Sequence, residues 1–260
     1  LVLLPILLLS FSSHATSPLQ PVTLDLFWKH QFEFAGFYAA KEKGIYKKLG
    51  LEVTFYEDDS QEKYLDRILK GKSHFATAGT YLVRDFHSGV DIKLLSSYFK
   101  RSPLAIVTQP EITSLTQLSG KTVISREGLF QTGSLKEMLD LHRVPPKSIK
   151  TIRASNALDL FEQKKVDAMV VFLSDQPYYF ADKKVPFNVF SPNQFGIQTH
   201  DLNVFTSATF AKDNPQLVKN FIVASNLGWE YALQNQQEIV DLILEKYNTQ
   251  GKSREALLYE

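Results

Sequence analysis

Side chains that carry out reactions are present in this chain, but their spacing builds no recognisable reacting group. Gly-Lys-Ser/Thr triplets begin at Gly71, Gly120 and Gly251, yet the position five residues upstream, where a phosphate-binding loop needs glycine, holds Asp66, Leu115 and Lys246. Side chains there block the tight backbone wrap around phosphate, so none of the three is such a loop. No Gly-x-Ser-x-Gly elbow, His-Glu-x-x-His helix or Gly-x-Gly-x-x-Gly fingerprint occurs. The absence of cysteine removes thiolate nucleophiles, zinc-thiolate sites and iron-sulfur clusters. His14, His30, His74, His87, His142 and His200 stand far apart in the chain, so no metal site is expected. The adjacent acids Asp58 and Asp59 read as a solvated turn. Lysine plus arginine, 29, nearly cancel aspartate plus glutamate, 28, which excludes a bulk positive field for nucleic acid.

What the chain offers instead is aromatic surface, in 19 phenylalanines, 11 tyrosines and 2 tryptophans. The run from Phe27 to Tyr38 joins a predicted strand to a predicted helix, and ligands of open α/β sheets sit outside such strand ends. Within it Trp28 lies at the strand exit beside Gln31. Phe34 and Tyr38, four apart, share a helix face, with Gly36 between them for close approach. A second exit reads Ala76-Thr77-Ala78-Gly79-Thr80, small residues ending on a hydroxyl at an N-cap position, with free backbone N–H groups for a polar ligand. Each segment taken alone is better explained by tight packing of helix on strand, and most of the phenylalanines must be core. Further aromatics mark other exits: Tyr98 and Phe99, Phe172 ahead of Asp175, Tyr178 and Tyr179, and Phe195 before Gly196. Such residues suit a cleft that stacks a flat ring and hydrogen-bonds its edge. Lys29, Lys100 and Arg101 flank these positions; solvated charge is their ordinary role, and contact with an anionic group the alternative.

The elements that must position these residues follow a βα pattern, which predicts mostly parallel sheets covered by helices. Strands are expected near 22–28, 51–56, 74–78, 92–96, 104–108, 122–125, 150–152, 168–172, 187–190 and 203–206. A helix is expected over 33–48, others after Ser60 and Thr80, and a short one at Ser114, where Gln117 supplies capping-box spacing and Gly120 the stop. The longest begins at Asn214-Pro215, and Val218, Ile222, Ser225, Trp229 and Leu233 form its expected buried stripe. With 260 residues, 44% hydrophobic and 22% charged, the chain has enough apolar material for two lobes.

Leu1 to Leu9 are apolar apart from Pro5, and Ser13-His14-Ala15 places small residues at the minus-three and minus-one positions of a signal-peptidase site. An export signal over residues 1–15 is the expectation, the run being shorter than the roughly 20 residues of a membrane span. No initiator methionine precedes Leu1, and the last residues, Ala256-Leu-Leu-Tyr-Glu260, lie in an apolar helical pattern, so the chain reads as a piece of a longer one.

Trp28-Lys-His-Gln-Phe-Glu-Phe-Ala-Gly-Phe-Tyr-Ala-Ala-Lys-Glu-Lys-Gly-Ile-Tyr followed by Gly50-Leu-Glu-Val resembles the opening of the thiamine-pyrimidine-synthase-like and alkanesulfonate-binding-like periplasmic binding proteins. The likeness continues through Lys100-Arg-Ser-Pro-Leu, Leu118-Ser-Gly-Lys-Thr-Val, Val166-Asp-Ala, Gly228-Trp-Glu-Tyr-Ala-Leu and Asp241-Leu-Ile-Leu-Glu-Lys-Tyr-Asn. The resemblance implies a type II periplasmic binding protein fold, two α/β lobes joined by two crossovers. Lobe I is expected at 22–102 plus 201–260 and lobe II at 103–200. It also implies an exported, monomeric, non-enzymatic receptor for a thiamine-pyrimidine-like heterocycle, serving an ABC permease, with Trp28 and Tyr38 holding the ring. The synthase branch of the family carries a cofactor lysine and a nearby histidine where this chain has Ala78 and Leu82, and a cysteine-rich iron motif that it lacks, so neither cofactor nor synthesis is expected. Trp-Lys-His-Gln-Phe with Phe-Ala-Gly also resembles sensing domains joined to membrane-bound histidine kinases or diguanylate cyclases, the alternative role; a thiamine pyrimidine synthase using some other chemistry is the lesser alternative.

Overall fold

The computed structural model describes residues 18–58, 63–126 and 128–260. The expected export signal lies outside them, as does Asp59. Strands β1 (Gln20–Asp25), β2 (Leu51–Tyr56), β3 (Phe75–Ala78), β4 (Lys93–Phe99), β5 (Leu104–Thr108), β6 (Thr122–Ile124), β7 (Lys150–Ile152), β8 (Ala168–Phe172), β9 (Asn188–Phe190) and β10 (Asp201–Thr206) fall where the alternating runs place them. They form two five-stranded sheets, ordered β2-β1-β3-β10-β4 and β7-β6-β8-β5-β9. The chain leaves the first sheet between Phe99 and Leu104 and returns between Phe190 and Asp201.

The expected mostly parallel sheets are in fact mixed. β1 runs parallel to β2 and β3, and β6 to β7 and β8. β10 is antiparallel to β3 and β4, and β5 to β8 and β9. These are the strands by which the chain enters each sheet from the other. A strand arriving that way does not come through a helical crossover within its own sheet, so the rule that favours parallel neighbours does not bind it.

β3 and β10 are buried along their whole length, as central strands covered on both faces must be. The expected 33–48 helix is a 3₁₀ turn, Phe32–Phe34, and helices Ala35–Glu42 and Ile45–Lys48, separated at Gly44, whose φ of +69° no helix interior allows. The turn Leu115–Leu118 begins as the capping-box spacing predicts, the Gln117 side chain accepting from the Ser114 N–H at 2.9 Å. In helix Pro215–Gln234 the buried line is Phe221, Ala224, Ser225, Gly228 and Ala232, while Leu233 is 60% exposed. The stripe is rotated because this helix meets Ala35–Glu42 at its smallest residues: a Cβ on Gly228 would lie 2.2 Å from the Gly36 carbonyl oxygen. Close helix contact selects small side chains, which a search for large apolar ones passes over. Among the described residues no helix is long and apolar enough to cross a membrane.

Candidate functional site

A cavity of about 170 Å³ opens between the two sheets. From the first sheet come Phe27, Trp28, Gln31 and Glu33 in the segment after β1, Gly79, Thr80 and Tyr81 after β3, and Asp201 at the start of β10. The second contributes Leu104 of β5, Arg126 and Leu129 after β6, Val170, Val171 and Phe172 of β8, then Asp175 and Gln176. Thr132, Gly133 and Ser134 open helix Gly133–Leu141, where Thr132 makes no side-chain capping bond to the first-turn N–H groups.

Of the residues singled out in the sequence, Trp28, Gln31, Gly79, Thr80, Phe172 and Asp175 line this cavity; Phe34, Tyr38, Ala78, Tyr98, Phe99 and Phe195 do not. Phe34 is sealed behind Phe27, edge to face at 5.7 Å. Tyr38 does share the inward helix face with Phe34, but that face turns into the core: the ring stacks on Tyr247 at 4.2 Å and its hydroxyl meets His30 Nδ1 at 2.8 Å. Ala78 is buried in the apolar cluster beneath β3, together with Leu82. Tyr98 and Phe99 are on the edge strand β4 and pack against Trp229, with centroids at 5.4 and 6.3 Å. Phe195 covers His142 at 4.5 Å, against the second sheet's own core. The Thr80 hydroxyl does not cap a helix; it donates to the His200 carbonyl oxygen at 2.8 Å.

Arg126, at the exit of β6, was legible by the same strand-end reasoning applied to Trp28. Its guanidinium carbon sits 4.4 Å from the centroid of the Trp28 ring, and its Nη2 is 2.9 Å from Asp58 Oδ2. One side chain of the second sheet thereby grips two residues that follow strands of the first. Asp58 is thus an ion-pair partner, not just a solvated turn residue.

The cavity is also lined by the acids Glu33, Asp175 and Asp201, a gathering no local pattern announced. Glu33, 4% exposed, accepts from Gln31 Nε2 at 2.8 Å through Oε2, while its Oε1 is buried without a hydrogen-bond partner. Burial, reinforced by Asp201, Glu260 and Asp175, pushes the Glu33 carboxyl well above the ordinary carboxylate range. Burial also raises Asp201, against the hydrogen bonds it receives from Ser102 Oγ at 2.6 Å and the Leu202 N–H at 2.9 Å. Lys252 donates to Asp175 at 2.6 Å and to Glu260. Burial lifts Glu260 to about 7 even against that ammonium and the Phe32 N–H, which it accepts at 2.7 Å. Asp201 was invisible to strand-end reasoning because it begins its strand; Glu33 stood inside the singled-out aromatic run as an unremarkable surface-type residue.

Two mixed five-stranded sheets, crossed twice by the chain and holding a cavity between them, define the periplasmic binding protein fold. The chain belongs to the NMT1/THI5 like family, whose model matches residues 31–239. It is 25% identical over 242 residues to the riboflavin-binding protein RibY of Chloroflexus aurantiacus, covering 89% of this chain and 68% of that one. The periplasmic aliphatic sulphonate-binding protein SsuA of Escherichia coli superposes with a TM-score of 0.71 at 16% identity, covering 94% of this chain and 83% of that chain. A Candida albicans protein described as having the generic periplasmic binding protein fold superposes with a TM-score of 0.69 at 20% identity, covering 92% of this chain and 79% of its own.

Proposed function

We propose that this protein is an extracytoplasmic solute-binding protein that captures a flat nitrogen heterocycle between its two sheets and hands it, unaltered, to an ABC importer. One observation carries the reading: the cavity walls are aromatic from both sides, Phe27 and Trp28 from one sheet and Phe172 from the other. A ring held there touches both halves, so it binds the closed arrangement better than an open one and shifts the population toward closure. Micromolar binding corresponds to about 8 kcal/mol, within reach of ring stacking and a few edge hydrogen bonds without any reacting group.

The riboflavin-binding relative and the family resemblance point to two ligands with one chemistry, an isoalloxazine and a thiamine-type aminopyrimidine, each a flat ring with hydrogen-bonding groups along one edge. Among the described residues the cavity offers an aliphatic sulfonate no unpaired cation: the lining cation Arg126 is already paired with Asp58, and the buried groups Glu33, Asp175 and Asp201 are carboxyls. The test is calorimetry of the purified protein with riboflavin, with 4-amino-5-hydroxymethyl-2-methylpyrimidine and with ethanesulfonate. Saturable binding of either heterocycle is expected; binding of ethanesulfonate alone, or of none, overturns the reading.

A further inference from the structure

Among the described residues that line the cavity, Glu33 alone has a fully buried polar side-chain atom without a hydrogen-bond partner, its Oε1. A native protein tolerates such an atom where a ligand completes it. What that ligand must present depends on whether Oε1 accepts or donates. Three further carboxyls, Asp201, Asp175 and Glu260, surround Glu33, and the ammonium of Lys252 is already bonded to the last two. Burial first, and the neighbouring carboxyls after it, disfavour a charge on Glu33, so the neutral acid is the resting form. The amide of Gln31 donates to Oε2, which assigns the carbonyl role to that oxygen and leaves the proton on Oε1.

We propose that Glu33 is a ligand-recognition residue acting as a neutral acid, its Oε1–H donating to a ring nitrogen or carbonyl oxygen on the edge of a heterocycle that lies against Trp28. The inference rests on the solute-binding reading above and sharpens it: the ligand edge that meets Glu33 must offer an acceptor. Both an isoalloxazine and an aminopyrimidine carry such an acceptor, and the two probes separate them.

The test compares wild type, Glu33→Gln and Glu33→Met by calorimetry at pH 7 with riboflavin and with 4-amino-5-hydroxymethyl-2-methylpyrimidine, after thermal melts show that each variant folds. Glutamine repeats the neutral acid's layout, a carbonyl for Gln31 and an N–H donor in place of Oε1–H, so affinity for the probe that binds should stay within about threefold. Methionine fills the space and donates nothing, and a loss of about tenfold, equal to 1.4 kcal/mol, is expected. A glutamine variant as weak as the methionine one shows that an ionised carboxylate was accepting, and overturns the inference; so does a methionine variant equal to wild type. Should Glu33→Met fail to fold, the glutamine variant decides alone: retention supports the neutral donor, a tenfold loss refutes it. Wild type that binds neither probe refutes the solute reading and this inference together, whereas wild-type binding with unaffected variants refutes this inference only.

Discussion

Replacing Lys252 with methionine removes the one cation, among the described residues, bonded to Asp175 and Glu260, while keeping the volume of the side chain. The Lys252 side chain is 4% exposed, and its partners Asp175 and Glu260 are 7% and 2% exposed, so water cannot substitute for the lost ammonium. Breaking a buried pair by deleting one partner costs about 3–5 kcal/mol, because the remaining charge is left uncompensated. That figure applies above the folded pKa of Glu260, near pH 8. At pH 5 Glu260, whose folded pKa is about 7, is already protonated in the wild type, so the variant no longer strands that charge and the cost is smaller than at pH 8. The wild type itself has a defined slope: Glu260 rises from an ordinary 4.5 to about 7 on folding, so between those values the unfolded state holds fewer protons and stability falls as pH rises. Glu33 and Asp201, both raised by burial, act in the same direction. Urea unfolding followed by circular dichroism at pH 5 and pH 8, for wild type and Lys252→Met, measures all of this with the urea slope as a check on two-state behaviour. Equal destabilisation at the two pH values, or a cost under about 1 kcal/mol at pH 8, would refute the picture of an ammonium holding buried carboxylates.

Trp28→Ala removes a cavity wall and the platform under the Arg126 guanidinium. Ring stacking is worth about 1–3 kcal/mol per aromatic partner, so calorimetry should show affinity for the bound heterocycle falling about 30-fold with the fold retained; a change under about twofold counts against the site. Gly228→Ala drives a methyl into the Gly36 carbonyl, 2.2 Å away, and toward Ala40, forcing two packed helices apart. Overpacking of that kind costs about 1–3 kcal/mol, and an unchanged melting temperature would show that the contact is looser than it looks.

The strands, their order along the chain and the exits bearing Trp28, Gly79 and Phe172 were readable in the sequence, because alternation of apolar residues and the turn residues that end it are local properties. The Ser114 start and the Gly120 stop were readable for the same reason. Sheet direction at β5 and β10 was not, since it depends on where the chain re-enters after a long excursion. Nor could periodicity say which aromatic faces outward: Trp28 and Tyr38 stand ten residues apart at one end of one sheet, yet one borders the cavity and the other stacks on Tyr247, more than 200 positions away. The cluster of buried acids is the clearest case. Glu33, Asp175, Asp201 and Glu260 are dispersed along the chain, and Lys252 sits in a failed phosphate-loop triplet. Their shared burial, and with it every shifted proton affinity, exists only once both sheets close around them, because desolvation belongs to the assembled environment and to no residue alone.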